Sequence, residues 1–291
     1  MDKVQEMIKT LDRVQNLPTL PVVIEKLRGA IRDPNSDAIR IAKIIEDDPS
    51  MMARILKTVN SVLYGGREPI SVLPLAVSRM GFTAISNIAM STAVFSCFGK
   101  SGQTDFDREQ FWRHSISTGI AAAVLYERCK PSLAKRYGRD ILHLAGLLHD
   151  IGKIVLEQFF HDDFIRAVVS SREKSTTLLQ AENDVMGADH VQIGSWLGMR
   201  WNLSQELLQV IRWHHDPSSA DVEHRELVML CHSANYICNL EKIGDGGDTA
   251  APTFQHDAWT KLGLTVRDIS EIVDIVVEES KKSEILMSFV K

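Results

Sequence analysis

Nearly every apolar segment of this chain repeats at spacings of three and four, and none alternates in the way a half-buried strand requires. Ile39, Ile41, Ala42, Ile44 and Ile45 are followed by Met51, Met52, Ile55, Leu56 and Val59. On a helix of about 3.6 residues per turn this spacing gathers the apolar side chains on one face. The chain is therefore expected to be all-α. Start signals agree: Asp48 precedes Pro49, a capping side chain ahead of a proline at the first helical position, and Thr265 and Asp268 have capping-box spacing. Stops fall at Gly65-Gly66, Gly81, Gly99, Pro131, Gly138 and Asp216-Pro217.

The polar, glycine-containing stretch Ser101 to Thr104 separates regions of opposite charge balance. Residues 1–100 carry 13 basic and 10 acidic side chains (+3), and residues 101–291 carry 20 and 28 (−8). Two helical lobes, 1–100 and 101–291, are expected. A second loop, Ile243 to Pro252, holds three glycines and two aspartates and is read as a surface connector.

The net charge of −5 argues against a dedicated polyanion binder. A helix-turn-helix reading of Ile39 to Glu46 and Pro49 to Asn60 fails for the same reason, because its turn carries Glu46, Asp47 and Asp48, which repel phosphates. Nucleic acid is not an expected partner. Met1 to Thr10 lacks the apolar stretch of a signal peptide, and the longest apolar run, around Gly119 to Tyr126, falls short of the roughly 18 residues of a spanning helix. A cytoplasmic protein without a membrane segment is expected. Cys97, Cys129, Cys231 and Cys238 form no CxxC pair and read as reduced thiols. At 291 residues the chain is expected to receive its input from a separate protein, a small ligand or a metal rather than from an attached receiver domain.

Ten histidines are the unusual entry in the composition, and their order matters more than their number. His149-Asp150-Ile151-Gly152-Lys153 follows the apolar stretch Ile141 to Leu148. Adjacent side chains diverge by about 100° on a straight helix, so His149 and Asp150 converge best at a helix end, which Gly152 can supply. His114 lies on the apolar helix Phe111 to Tyr126, His190 opens the amphipathic segment to Trp201, and His214-His215 closes the helix from Ser204 to Trp213. Taken singly, each is more often a satisfied core or surface histidine than a ligand.

In this order, His114, His149-Asp150 with Lys153, His190 and His214-His215 resemble the HD superfamily of metal-dependent phosphohydrolases, and its HD-GYP branch in particular. The N-terminal segments Leu17-Pro18-Thr19-Leu20-Pro21, Ile41 to Pro49, Lys57 to Ser61 and Pro69-Ile70-Ser71 through Arg79-Met80-Gly81 resemble the HDOD family, the HD-related output domains of bacterial signalling proteins. The likeness runs over roughly residues 14 to 240. It implies an HD-domain-like helical core and a dinuclear metal site, with His114, His149 and Asp150 on one ion and His190, His214 and His215 on the other. Asp150 would bridge the two.

The position of the family's last metal-binding aspartate falls at Asn235, whose amide oxygen can coordinate but brings no charge. His232, one turn earlier, is open between a partial substitute and a bystander. His215 is open between a ligand and a solvent-facing side chain, and His143, His161, His224 and His256 are assigned no role. Imidazole-rich ligation with few carboxylates favours iron, manganese, zinc or similar ions over magnesium or calcium; the resemblance to HD-GYP proteins implies iron or manganese, with zinc or nickel as alternatives. Lys153 would contact a phosphoryl oxygen, and Asp150 with Lys153 would be the catalytic pair if the chain is a hydrolase.

Two functions follow from the resemblance. One is a signal-transduction protein that keeps its metal site as a structural or sensory element and acts through an unidentified protein partner. The other is a metal-dependent phosphodiesterase for a cyclic nucleotide or dinucleotide, a phosphate-containing small ligand. Asp216-Pro217-Ser218 after the paired histidines replaces the Gly-Tyr-Pro triplet of HD-GYP enzymes and argues for the first.

Overall fold

The computed structural model describes residues 3–15, 17–65, 68–98, 106–129, 137–248, 253–265, 267–281 and 284–289. Among them every regular element is a helix, as the spacing predicts. The stretch Ser101 to Thr104, the stops at Gly66, Gly99 and Pro131, and residues 249–252 of the second loop lie outside the described residues.

The chain divides into two compact units, and not quite where the charge balance suggests. One comprises residues 1–17 and 101–280, the other residues 18–100 and 281–291. Packing explains why each end crosses over. In the first unit, helix Lys3–Asp12 buries Met7 and Leu11, and Asp12 takes an ion pair from Arg200 at 3.1 Å. In the second, Leu286 and Met287 are buried, Lys57 donates to Ser288 at 2.7 Å, and Arg54 and Lys57 lie 5.7 and 5.2 Å from the centre of the Phe289 ring.

The unit of residues 18–100 is built on helices Val22–Arg32, Ala38–Glu46, Pro49–Val59, Leu73–Met80 and Phe82–Cys97. Its core is the periodic apolar set, with Leu27, Ile41, Ile45, Ile55, Leu73 and Ile85 sealed from solvent. Asp48 caps as its sequence position predicts, accepting from Met51 N–H at 3.0 Å with Pro49 behind it. Asn60 closes the next loop in both directions: its amide donates to Ile70 O and its oxygen accepts from Ile70 N–H, each at 2.7 Å. Gly81, at φ 83°, takes the turn between the last two helices in a region L-residues rarely enter. That pair passes for a membrane span by length and composition only when taken together, and it is bent by 117°. No single helix among the described residues is long and apolar enough to cross a membrane.

The unit carrying the histidines is organised around helix Arg108–Arg128, buried almost continuously from Phe111 to Leu125. A helix apolar on all sides must be enclosed by others, and helices Arg139–Leu148, Arg225–Leu240 and Asp268–Ser280 enclose it. Glycines set the closest crossing. A Cβ on Gly146 would fall 2.1 Å from Gly119 N, and one on Gly119 would fall 2.6 Å from His143 O. Backbone meets backbone there, which sets His114 and His149 on facing helices of the same interior. Gly138, expected to be a stop, instead precedes helix Arg139–Leu148 as its N-cap.

Candidate metal centre

Asp150 sits in a break between two helices. Helix Arg139–Leu148 has His149 as its C-cap, helix Ile151–Phe159 starts two residues later, and Asp150 between them adopts φ −105°, ψ 14°. This break turns two neighbouring side chains onto one site, with His149 Nε2 3.2 Å from Asp150 Oδ2. Gly152 does not supply the helix end expected of it, because it lies inside the second helix. Its lack of a side chain serves contact instead: a Cβ there would fall 1.9 Å from His190 O and 2.7 Å from Gly194 N. Helix His190–Arg200 can thus lie directly against helix Ile151–Phe159, and His190 Nε2 comes to 3.3 Å from Asp150 Oδ1. A full capping box of Asp189 and Gln192 fixes the start of the His190 helix.

The remaining histidines arrive from other helices. His214 caps the C-terminus of helix Gln205–Trp213 and places Nε2 3.2 Å from Asp150 Oδ1. His215 turns inward, its Nε2 3.0 Å from His190 Nε2, and is only partly exposed. His114 stands beside His149, ring centres 5.6 Å apart. Two groups result, each with ligand-capable atoms within 4.8 Å of one another: Asp150, His190, His214 and His215, and His114, His149 and Asp150. Asp150 belongs to both.

The outer hydrogen bonds place the protons. Carbonyl oxygens only accept, so His149 donates from Nδ1 to Gly146 O at 2.7 Å, and His214 from Nδ1 to Ile211 O at 3.1 Å. Glu182 accepts from His190 Nδ1 at 2.6 Å and from its backbone N–H at 2.9 Å. In the neutral rings, the Nε2 atoms of His149, His190 and His214 therefore aim lone pairs at the Asp150 carboxylate, which also can only accept. Nε2 of His149 and His214, like Oδ1 of Asp150, is buried without a hydrogen-bond partner. Buried lone pairs facing lone pairs are unfavourable without a cation among them, and a carboxylate behind a ligating histidine is the usual support of a metal site. The donor set fits a transition metal.

The electrostatics agree. Burial pushes His114 and His214 down to about 4 and His215 well below its usual value, which keeps them in the neutral, coordinating form. Burial also works against a charge on His190, but Glu182 and Asp150 overcome it and lift this ring to about 10, a demand for positive charge at that nitrogen. Burial opposes the charge on Asp150 as well, yet His149 and Lys153 hold its carboxyl well below the usual range.

Asn235 stands beside the first group, against His114. Asn239 Nδ2 donates to the Asn235 backbone oxygen at 3.0 Å and also lies 2.7 Å from the Asn235 side chain, which must present its oxygen there. The same oxygen is 3.0 Å from His114 Nε2, so that nitrogen carries a proton and donates. His232 joins neither group, and its Nδ1 donates to His214 O at 2.7 Å and so braces the His214 turn. His143, His161, His224 and His256 join neither group.

Lys153 is placed differently from the expectation. Its side chain is fully buried, and its ammonium faces Asp150 Oδ2 at 2.8 Å, Asp248 Oδ2 at 2.7 Å and Gly246 O at 2.9 Å. Burial disfavours its charge, but the two aspartates outweigh this and raise it above the ordinary lysine value. With these oxygens around it, the ammonium has no direction left for a phosphoryl group. The loop that supplies two of them is no plain connector. Asp245 N–H donates to Gln110 O at 3.0 Å, Asp248 Oδ1 accepts from Leu178 N–H at 3.0 Å, and a Cβ on Gly246 would fall 3.1 Å from the His114 ring.

Sequence reasoning missed Glu182 and Asp248. Glu182 reads as one more acidic residue on helix Leu178–Met186, and Asp248 as loop polarity. Nothing local marks either one.

Fold and cluster together define an HD-type helical protein, with ligands gathered around a His-Asp break. Residues 17–217 match the HDOD domain, and the chain belongs to that family. Among solved structures it is similar to an HDOD domain protein of unknown function from Geobacter sulfurreducens, at 25% identity and TM-score 0.75, covering 99% of this chain and 96% of that one. It also shares its fold with a Shewanella amazonensis protein provisionally assigned as a phosphohydrolase, at 19% identity and TM-score 0.72, covering 98% and 97%. An uncharacterized protein of Treponema pallidum is 28% identical over 229 residues, 77% of this chain. The chain spans 42% of that relative's length.

Proposed function

We propose that this chain is a cytoplasmic bacterial signal-transduction protein of the HDOD family, whose buried His/Asp cluster holds a transition metal in a regulatory rather than a catalytic role. The observation that carries this reading is Lys153. Its ammonium, a cation beside the cluster, is committed to Asp150, Asp248 and Gly246 O and is not offered to a substrate phosphate. The donor set of imidazoles and a single carboxylate suits iron, zinc or nickel as well as manganese, and among these the resemblance to HD-GYP proteins favours iron or manganese. His215, the only partly exposed member of the four-residue group, is where a change at the metal reaches the surface and a protein partner.

The competing reading, a phosphodiesterase acting on a cyclic nucleotide or dinucleotide, draws on the gathered ligands themselves, because a divalent ion there would polarise a phosphoryl oxygen. The protein loaded with Mn²⁺ or Fe²⁺ is expected to leave bis(p-nitrophenyl) phosphate and cyclic dinucleotides intact. Metal-dependent turnover lost in Asp150→Ala would establish the hydrolase instead.

A further inference from the structure

Resting on that reading of the centre, we propose that it holds a single ion, at Asp150, His190, His214 and His215, and that the Lys153 ammonium, clamped by Asp248, serves as its fixed second cation. The HD-type order of ligands implies two ions, so the claim is a departure in this chain's own residues.

The two oxygens of Asp150 face different company. Oδ1 looks toward His190 and His214, at 3.3 and 3.2 Å. Oδ2 looks toward His149 at 3.2 Å and is already paired with Lys153 at 2.8 Å. A second ion bridged by Asp150 would need this second oxygen, where an ammonium now stands. On that side His149 Nε2 and His114 Nδ1 are without hydrogen-bond partners, so a second ion would find two imidazoles there and no carboxylate oxygen free of the lysine. His114 Nε2 is a donor to Asn235, and the Asn235 oxygen already serves Asn239.

Charge balance points the same way. Three carboxylates lie in and beside the cluster, with side chains of Asp150, Glu182 and Asp248 exposed by 1%, 0% and 4%. Neutral imidazoles add nothing, and Lys153 contributes one positive charge. One divalent ion brings the sum to zero. A second would leave two uncompensated positive charges in a largely buried site, where desolvation makes an unpaired charge costly. Asp248 therefore has a role no catalytic scheme assigns it. It neutralises and orients the lysine, while Gly246 packs against the His114 ring and leaves no side chain in the way.

Stoichiometry tests this directly. The full chain is saturated with Mn²⁺, desalted and analysed for manganese, and about one ion per chain is expected. Two ions per chain would overturn the proposal while leaving the metal-centre reading intact. No retained ion would overturn both. Electron paramagnetic resonance of the same sample is expected to show an isolated six-line Mn²⁺ signal, and an exchange-coupled dinuclear spectrum would refute the assignment without any variant. Lys153→Met, if folded by circular dichroism, is expected to take up a second ion, and a folded variant that stays at one ion removes the lysine from the argument. Asp248→Asn keeps the lysine but frees its charge, and is expected to weaken Mn²⁺ binding on the order of tenfold, as loss of a supporting group around a site commonly does. Unchanged affinity in Asp248→Asn would overturn the clamp.

Discussion

Replacing Gly152 by alanine adds a single methyl group where two helices touch backbone to backbone. The new Cβ would stand 1.9 Å from His190 O, which is 1.5 Å short of the 3.4 Å at which ordinary contact begins. Its other near neighbours, His190 C and Gly194 N, are 2.7 Å away and are also backbone. No side chain can rotate aside, so helix His190–Arg200 or helix Ile151–Phe159 must move as a body. Overpacking a core costs about 1–3 kcal/mol, and a clash made only with backbone belongs at the upper end, about 3 kcal/mol. For a domain of this size that corresponds to a fall of about 6–12 °C in melting temperature.

The displacement also strikes the site, because His190 must keep both its 2.6 Å bond to Glu182 and its 3.3 Å approach to Asp150. Mn²⁺ affinity is expected to fall about 10–100-fold. Thermal melts and a Mn²⁺ isotherm on Gly152→Ala read the two effects separately. A variant that melts within about 2 °C of the parent and binds Mn²⁺ equally well would show that glycine at this position is not required by helix contact, and the account of how His190 reaches Asp150 would fail.

Gly29→Ala is the matched control. Gly29 lies inside helix Val22–Arg32 with nothing within 4 Å of where the added methyl would sit, and the change should raise stability by about 0.5–1 kcal/mol; a lower melting temperature would contradict it. Glu182→Gln keeps the shape of the support behind His190 but removes its charge, and should weaken Mn²⁺ binding about 10–100-fold with little change in the circular dichroism spectrum, whereas equal affinity would show that Glu182 only packs. Stability of the metal-stripped protein should fall on both sides of roughly pH 6.5, the ordinary histidine value. Burial lowers His143 to about 3 and His114 and His214 to about 4, so the unfolded chain takes up their protons first and stability is lost as pH falls from 6.5 toward 4. His190, lifted to about 10 against the effect of burial by Glu182 and Asp150, loses its contribution as pH rises from 6.5 toward 10, and each fully shifted group adds about 1.4 kcal/mol per pH unit. Melts across pH 4 to 10 check both arms, and bound metal should abolish the alkaline one by taking the place of the His190 proton.

What can be read in the sequence divides along physical lines. Helical periodicity is a local property that every apolar face writes into its own segment, which is why Ile41, Ile45 and Ile55 declare their helices without any tertiary information. The five histidines that gather around Asp150, and Asp150 itself, are legible for another reason: chemistry restricts which side chains can serve as ligands, and their order along the chain resembles the HD pattern. The groups that complete the centre obey neither rule. Lys153 and Asp248 are 95 residues apart, Glu182 is eight residues before the histidine it supports, and any acidic residue at a suitable distance would read the same. Gly152 stands out in the sequence, but as a helix end, because glycine punctuates helices far more often than it sits at a crossing of two of them. Lys153 misleads for a related reason: sequence gives the ammonium a reach but not a direction, and only the return of residues 243–248 over the His114 helix shows that its protons point inward. Whether this centre acts on a phosphate thus turns on a contact supplied by a loop that lies beyond the matched residues 17–217, so two chains with the same ligand order can differ in chemistry through that loop alone.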